Sequence, residues 1–148
     1  MIRTETEYRS AIDRLERDRT FLTAQRAGLE QAGLNSEEIA RAMQPAISFH
    51  EQLREEVDAY ERIVRGDIGP IEDLTNLGRM LIGLRIASRI SQRELASRLG
   101  ISESAVSRDE RNEYHGITVE RAQRVLQALG GTIHITAEPA TATALAEA

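Results

Sequence analysis

The chain has no cysteine, no tryptophan and no lysine, and only three prolines among its 148 residues. Without cysteine there are no disulfides and no thiolate metal ligands. Aromatic residues make up 3% of the total, so the apolar content is almost entirely aliphatic. That bias suits small helical cores and disfavours a β-sandwich. No apolar run approaches the roughly 20 residues of a membrane span. The opening stretch, MIRTETEYRS, carries charge where a secretory leader needs an apolar run. A soluble, cytoplasmic protein without membrane association is expected.

Catalytic signatures are missing as well. His50, His115 and His134 are the only histidines and lie far apart in the sequence. HEQLR, residues 50–54, has arginine where a zinc-protease helix needs its second histidine. There is no glycine-rich phosphate loop and no G-x-S-x-G. The expectation is a protein that is not an enzyme and holds no cofactor or metal.

The formal net charge is −5, but it is unevenly spread. Residues 1–70 hold 10 arginines against 14 carboxylates, residues 71–136 hold nine against eight, and residues 137–148 add two glutamates. An acidic total weakens non-specific attraction to a polyanion without forbidding a locally basic face.

Apolar periodicity predicts a mainly α protein. Tyr8, Ile12, Leu15 and Leu22 stripe a helix over about 4–27, which Gly28, Gly33 and Asn35 interrupt. Ser36 offers an N-cap to a short helix holding Ile39 and Met43, and Pro45 can open a longer one in which Leu53, Val57, Tyr60 and Val64 recur. RGDIGP, residues 65–70, punctuates the chain most strongly and places a boundary between a helical region, 1–66, and a second domain, 71–131. In that domain Leu74, Leu77, Leu81 and Leu84 mark one helix face. Ser91, Ser102 and Thr118 each stand where a further helix is capped, and Ser91 has Glu94 at the capping-box spacing. Gly100 and Gly130-Gly131 provide the stops.

The segment SQRELASRLGISESAVSRDE, residues 91–110, is more specific than two short helices. Ala96 is small enough for a neighbouring helix to approach closely. Gly100, four residues on, can take the left-handed conformation of a tight turn. Val106 can plug the angle between the helices, with Leu95, Leu99 and Ile101 completing the wedge.

On these residues, segment 74–130 resembles the phage-repressor, Cro/CI (XRE)-type helix-turn-helix family, most specifically over LRIASRISQRELASRLGISESAVSRDE. The resemblance implies a domain of four to five helices that binds double-stranded DNA. It implies that Gln92, opening the second helix, anchors a phosphate. It also implies that the recognition helix after Ser102 presents Glu103, Ser104, Ser107 and Arg108 to the major groove, with Arg111 near the backbone. An ion pair between Arg85 and Glu110, implied likewise, would set the angle of the recognition helix. Arg108 suits guanine O6 and N7, and Glu103 suits a cytosine amino group; Arg108 on a phosphate and Glu103 favouring the helix N-terminus are the plainer roles. Ser102, Arg93 and Arg98 join Gln92 and Arg111 as candidate backbone contacts, as does Arg79. Asp109 departs from the family pattern, where its position is apolar or aromatic. It must reach solvent or find an arginine, with the helix rotated or Tyr114 filling the gap.

TIHITAE, residues 132–138, alternates Ile133 and Ile135 against Thr132, His134 and Thr136, and predicts a strand over 132–137. A lone strand needs a partner for its backbone groups. The same segment of a second copy, antiparallel about a two-fold axis, would make a homodimer and space two recognition helices for a palindromic operator. The tail, 138–148, is expected to be disordered.

Three functions fit. The first is a transcriptional regulator repressing its own operon. The second is an antitoxin: the order MIRTETEYRSAIDRLE … EEVDAYERI … LGRMLIGLRIASRISQRELA is similar to HigA-like antitoxins, implying that residues 1–66 neutralise a small, basic, RNase-type toxin protein. The third is a helix-turn-helix turned to binding protein.

Overall fold

The computed structural model describes residues 1–139. These form six α-helices: α1, Glu5–Gln31; α2, Ser36–Val64; α3, Leu77–Ala87; α4, Gln92–Leu99; α5, Glu103–Arg111; and α6, Val119–Leu129, with a 3-10 turn at Leu74–Asn76 before α3. The mainly α expectation holds. Part of the expected tail, 140–148, lies outside the described residues.

The first two helices are longer than their local breakers suggest. Gly28 sits inside α1, and the chain turns only at Gly33, whose φ is +86°. The cap of α2 is Asn35, not Ser36: its side chain accepts from Glu37 and Glu38, while Glu38 returns a bond to the Asn35 backbone. Pro45 does not open a helix but lies within α2. It removes one backbone hydrogen bond, yet the inward stripe continues past it: buried Ile39 and Met43 are followed by half-buried Ile47, His50 and Leu53 and by buried Val57 and Tyr60. Burial of Ile39 and Met43 against α1 holds the turns before the proline.

α1 and α2 pack as an antiparallel hairpin. Tyr8 near the start of α1 stacks on Tyr60 near the end of α2 with ring centroids 5.0 Å apart. Its hydroxyl donates to Glu61 at 2.8 Å. Each helix is about 40 Å long at 1.5 Å rise per residue. Among the described residues, it is the end bearing Tyr8 and Tyr60 that joins the other helices. There Ile2, Ala11, Val57 and Tyr60 belong to one apolar core with Leu81, Ile82, Ile86, Leu95, Val106, Val125 and Leu129. Phe21 and Phe49, further along the hairpin, are 60% and 67% exposed.

In the second half, the short helices are held by packing rather than by length. Gly78 in α3 lets the loop after α5 lie directly against it: a Cβ there would stand 1.8 Å from the Glu113 carbonyl oxygen. That loop turns through left-handed φ values of 49° at Glu113 and 53° at Tyr114, and the Tyr114 ring is buried. Residues 132–137 carry no strand; among the described residues no second strand exists for them to pair with. Ile133 packs on the core, whereas Ile135 is 69% exposed and Thr132, His134 and Thr136 face solvent.

Candidate nucleic-acid interface

α4 and α5 are built by three local devices. The Ser91 hydroxyl caps α4 by accepting from Glu94 N at 3.1 Å. The Glu94 carboxylate, instead of closing a capping box, takes Arg98 Nη2 at 2.5 Å. Gly100 has φ 69°, the left-handed value the turn requires. The Ser102 hydroxyl caps α5 by accepting from Ala105 N at 3.2 Å. Leu95, Ala96 and Val106 fill the angle between the helices and are buried, with Leu99 half-buried beside them. Ile101 does not join this wedge: one residue past the left-handed glycine, it is 39% exposed.

Arg85 of α3 and Glu110 of α5 meet on the buried side of α5, 3% and 0% exposed. Arg85 grips the carboxylate in a fork, Nε to Oε1 at 2.5 Å and Nη2 to Oε2 at 2.8 Å. Its Nη1 donates to the Ile90 carbonyl at 2.9 Å, and Gln92 Nε2 donates to Glu110 Oε2 at 2.8 Å. The charges are therefore fully hydrogen-bonded, the condition under which such a pair is tolerated in a core. The pair ties α3, the start of α4 and the end of α5 together. Two further ligands come from the first residues of the chain: the Arg3 carbonyl accepts from Arg85 Nη2 at 2.8 Å, and Arg3 Nη1 donates to the Glu110 carbonyl at 3.1 Å.

Asp109 finds an arginine: its carboxylate accepts from Arg121 Nη2 of α6. Tyr114 is buried beside the helix, and burial, then the charges of Glu110 and Asp109, push its phenol well above the ordinary value. Sequence spacing could not reveal Arg3 or Arg121 as members of this site. Both act across long sequence separations with no periodic signal.

On the outer face of α5, Glu103, Ser104 and Arg108 are exposed and Ser107 is half-buried. Arg108 Nε rests on the Ser104 carbonyl at 3.3 Å. Glu103 is paired with Arg93 of α4 at 3.2 Å. The Ser102 and Ser104 hydroxyls are 3.1 Å apart. Arg111 is exposed at the end of the helix. Arg98 is turned the other way, its Nη1 donating to the Ala128 carbonyl at the end of α6 at 2.8 Å. Arg79 likewise pairs with Glu113 at 2.9 Å. The structure thus gathers Gln92, Arg93, Ser102, Glu103, Ser104 and Arg108 around the α4–α5 turn and the front of α5, while Arg79 is paired with Glu113 and Arg98 with Glu94 and the Ala128 carbonyl. Among the described residues there is no His, Asp or Glu cluster able to hold a metal, and no helix long and apolar enough to cross a membrane.

Two capped helices at a left-handed glycine, wedged by a buried valine and backed by a buried Arg–Glu pair, define a helix-turn-helix DNA-binding domain. Residues 82–135 match the Helix-turn-helix family model, and this segment belongs to the Cro/CI (XRE)-type helix-turn-helix family. No curated protein and no solved structure matches the chain.

Proposed function

We propose that the protein is a sequence-specific transcriptional repressor of its own operon, binding a palindromic operator as a homodimer. The observation that carries this reading is the outer face of α5. Glu103, Ser104 and Arg108 stand exposed on a helix whose underside is locked by the buried Arg85–Glu110 pair. In this reading Arg108 and Glu103 reach base edges, the latter by leaving Arg93, while Ser104 and Ser107 discriminate weakly. Gln92, Arg93, Ser102 and Arg111 meet phosphates. One N–H of Gln92 Nε2 is held by Glu110, which would aim the other at the backbone. The acidic charge lies mainly in residues 1–70, so the α5 face keeps a neutral-to-basic surround.

The homodimer draws support from an apolar groove of about 480 Å³ beside α6, lined by Leu74, Leu77, Met80, Val119, Ile133 and Ile135. Leu74, Val119 and Ile135 are 65%, 79% and 69% exposed, a cluster that a second copy would cover. Pairing of Thr132–Thr136 with its symmetry mate would close the groove and set the two α5 helices about 34 Å apart.

A gel shift on the protein's own upstream region, against scrambled DNA of equal length, tests the reading. A selective shift supports the autoregulator. No shift at low salt by a folded dimer would mean that the helix-turn-helix serves a protein partner.

The projecting hairpin favours a second reading, the HigA-like antitoxin. Its outer part exposes Phe21 and Phe49 on a region with an excess of carboxylates, a surface suited to a basic partner. Co-expression with the product of a neighbouring small basic reading frame decides it. Rescue of growth, lost in a Phe21→Ser/Phe49→Ser variant, supports neutralisation through residues 1–66.

A further inference from the structure

We infer that Arg3, outside the helix-turn-helix segment, is a positioning residue of the recognition helix, so that the seating of the N-terminal hairpin controls how selectively α5 reads DNA. The inference rests on the reading of α5 as the DNA-contacting helix.

Three contacts carry it. The Arg3 carbonyl accepts from Arg85 Nη2 at 2.8 Å; Arg85 is 3% exposed, and among the described residues the other acceptor of that nitrogen is Glu110. The Arg3 guanidinium donates to the Glu110 carbonyl at 3.1 Å. That carbonyl belongs to the last turn of α5 and already accepts from Glu113 N at 3.0 Å, so Arg3 is a further donor to it, at the helix end where the dipole favours a cation. Ile2, 6% exposed, fixes the segment in the shared core. Arg3 therefore caps the far end of α5 and completes the ion pair beneath it with one backbone group.

There is no slack between this contact and the hairpin. Thr4 is the N-cap of α1 and Glu5 its first residue, so Arg3 is one residue removed from a long rigid helix. The Glu7 carboxylate accepts from the backbone N–H groups of both Arg3 and Thr4, at 2.7 and 3.3 Å, which stiffens the junction. A tilt of the hairpin must move Arg3, and with it the end of α5. A cleft of about 470 Å³ lies beside the contact, lined by Arg3, Tyr60, Arg85 and Gln92.

The test uses the full-length protein with Arg3→Ala and, as a conservative partner, Arg3→Lys. Affinity is measured on duplexes that the wild-type protein selects from a random pool and on random duplexes of equal length, and the amide resonances of residues 103–112 are followed without DNA. Arg3→Ala should bind the selected duplex about tenfold more weakly, the worth of one hydrogen bond from a charged group, bind random duplexes within about twofold of wild type, and shift the α5 amides; Arg3→Lys should recover part of both effects. Equal losses on both duplexes would make Arg3 a phosphate contact, and unchanged selectivity with unmoved α5 amides would leave it without a positioning role; either overturns the inference. A wild-type protein that selects no sequence would defeat the DNA reading of α5, and the amide shifts would then decide the positioning role on their own. Should Arg3→Ala fail to fold, Arg3→Gln replaces it under the same outcomes.

Discussion

Asp109 on α5 is bonded to Arg121 on α6, 12 residues along the chain. The pair places a charge at a position that the family resemblance implies is usually apolar or aromatic, and the site is not sealed: the two side chains are 29% and 46% exposed. Tyr114 supplies the buried apolar body nearby. A partly exposed pair contributes little, about 0–1 kcal/mol. Asp109→Leu should therefore stay within about 1 kcal/mol of wild type in urea unfolding. A loss several times larger would show that the pair, not Tyr114, holds the helix.

The Arg85–Glu110 pair should behave in the opposite way. Removing one member leaves the other buried and uncompensated, so Arg85→Met or Glu110→Leu alone should cost about 3–5 kcal/mol. Replacing both together should cost less than the sum of the two, although the carbonyls of Ile90 and Arg3 lose their donor whenever Arg85 is replaced. Additive losses in the double variant would show that the two residues act independently.

Two glycines separate close approach from idle flexibility. At Gly78 a Cβ would collide with the backbone oxygen of Glu113, so Gly78→Ala should destabilise by about 1–3 kcal/mol and lower the melting temperature. At Gly28, inside α1, nothing lies within 4 Å of an added Cβ. Gly28→Ala should raise the melting temperature, gaining about 0.5–1 kcal/mol of helix propensity. A fall on Gly28→Ala would mean that α1 is interrupted there in solution.

Alkaline pH should reveal the tyrosines alone among the side chains. The chain has no lysine and no cysteine, and arginine does not titrate in this range. All three phenols are raised from the ordinary 10.0: Tyr8 by its bond to Glu61, then burial; Tyr60 and Tyr114 by burial first. A folded pKa above the unfolded one means that the native state holds its protons longer. The stabilisation is then complete below pH 10 and is lost as pH rises through the folded values. Thermal stability should fall above about pH 10, and Tyr114→Phe should blunt the fall. A variant that falls as steeply as wild type would place the cause elsewhere.

Legibility followed sequence distance. The caps at Ser91, Ser102 and Thr118 and the left-handed stops at Gly100 and Gly130 act within four residues, and each is where its local pattern points. The hairpin was harder because a breaker competes with a stripe. Gly28 reads as an interruption and Pro45 as the start of a new helix, whereas the apolar spacing that continues past them wins once the partner helix supplies burial. Arg3 could not be read at all: its bonds to Arg85 and Glu110 span 82 and 107 residues, and a backbone carbonyl carries no residue-type signature. The segment 132–137 alternates as a strand should, but an unpaired strand has no ladder within one chain.

Arg108 and Gln92 should divide the DNA-binding work between them. Arg108 is exposed on the outer face of α5, tied only to its own helix through the Ser104 carbonyl. Its guanidinium can present two parallel N–H groups to a guanine, so Arg108→Ala should flatten the preference among sequences, with about 1–3 kcal/mol lost on the best site and little on random DNA. Gln92 stands at the start of α4, held from below by Glu110, where a phosphate would meet both its amide and the helix N-terminus. Gln92→Ala should weaken all sequences by a similar factor. Competition binding on a panel of single-base variants of the selected site measures both effects. If the two variants lose affinity in the same pattern across the panel, the assignment of Arg108 to bases and Gln92 to the backbone is wrong.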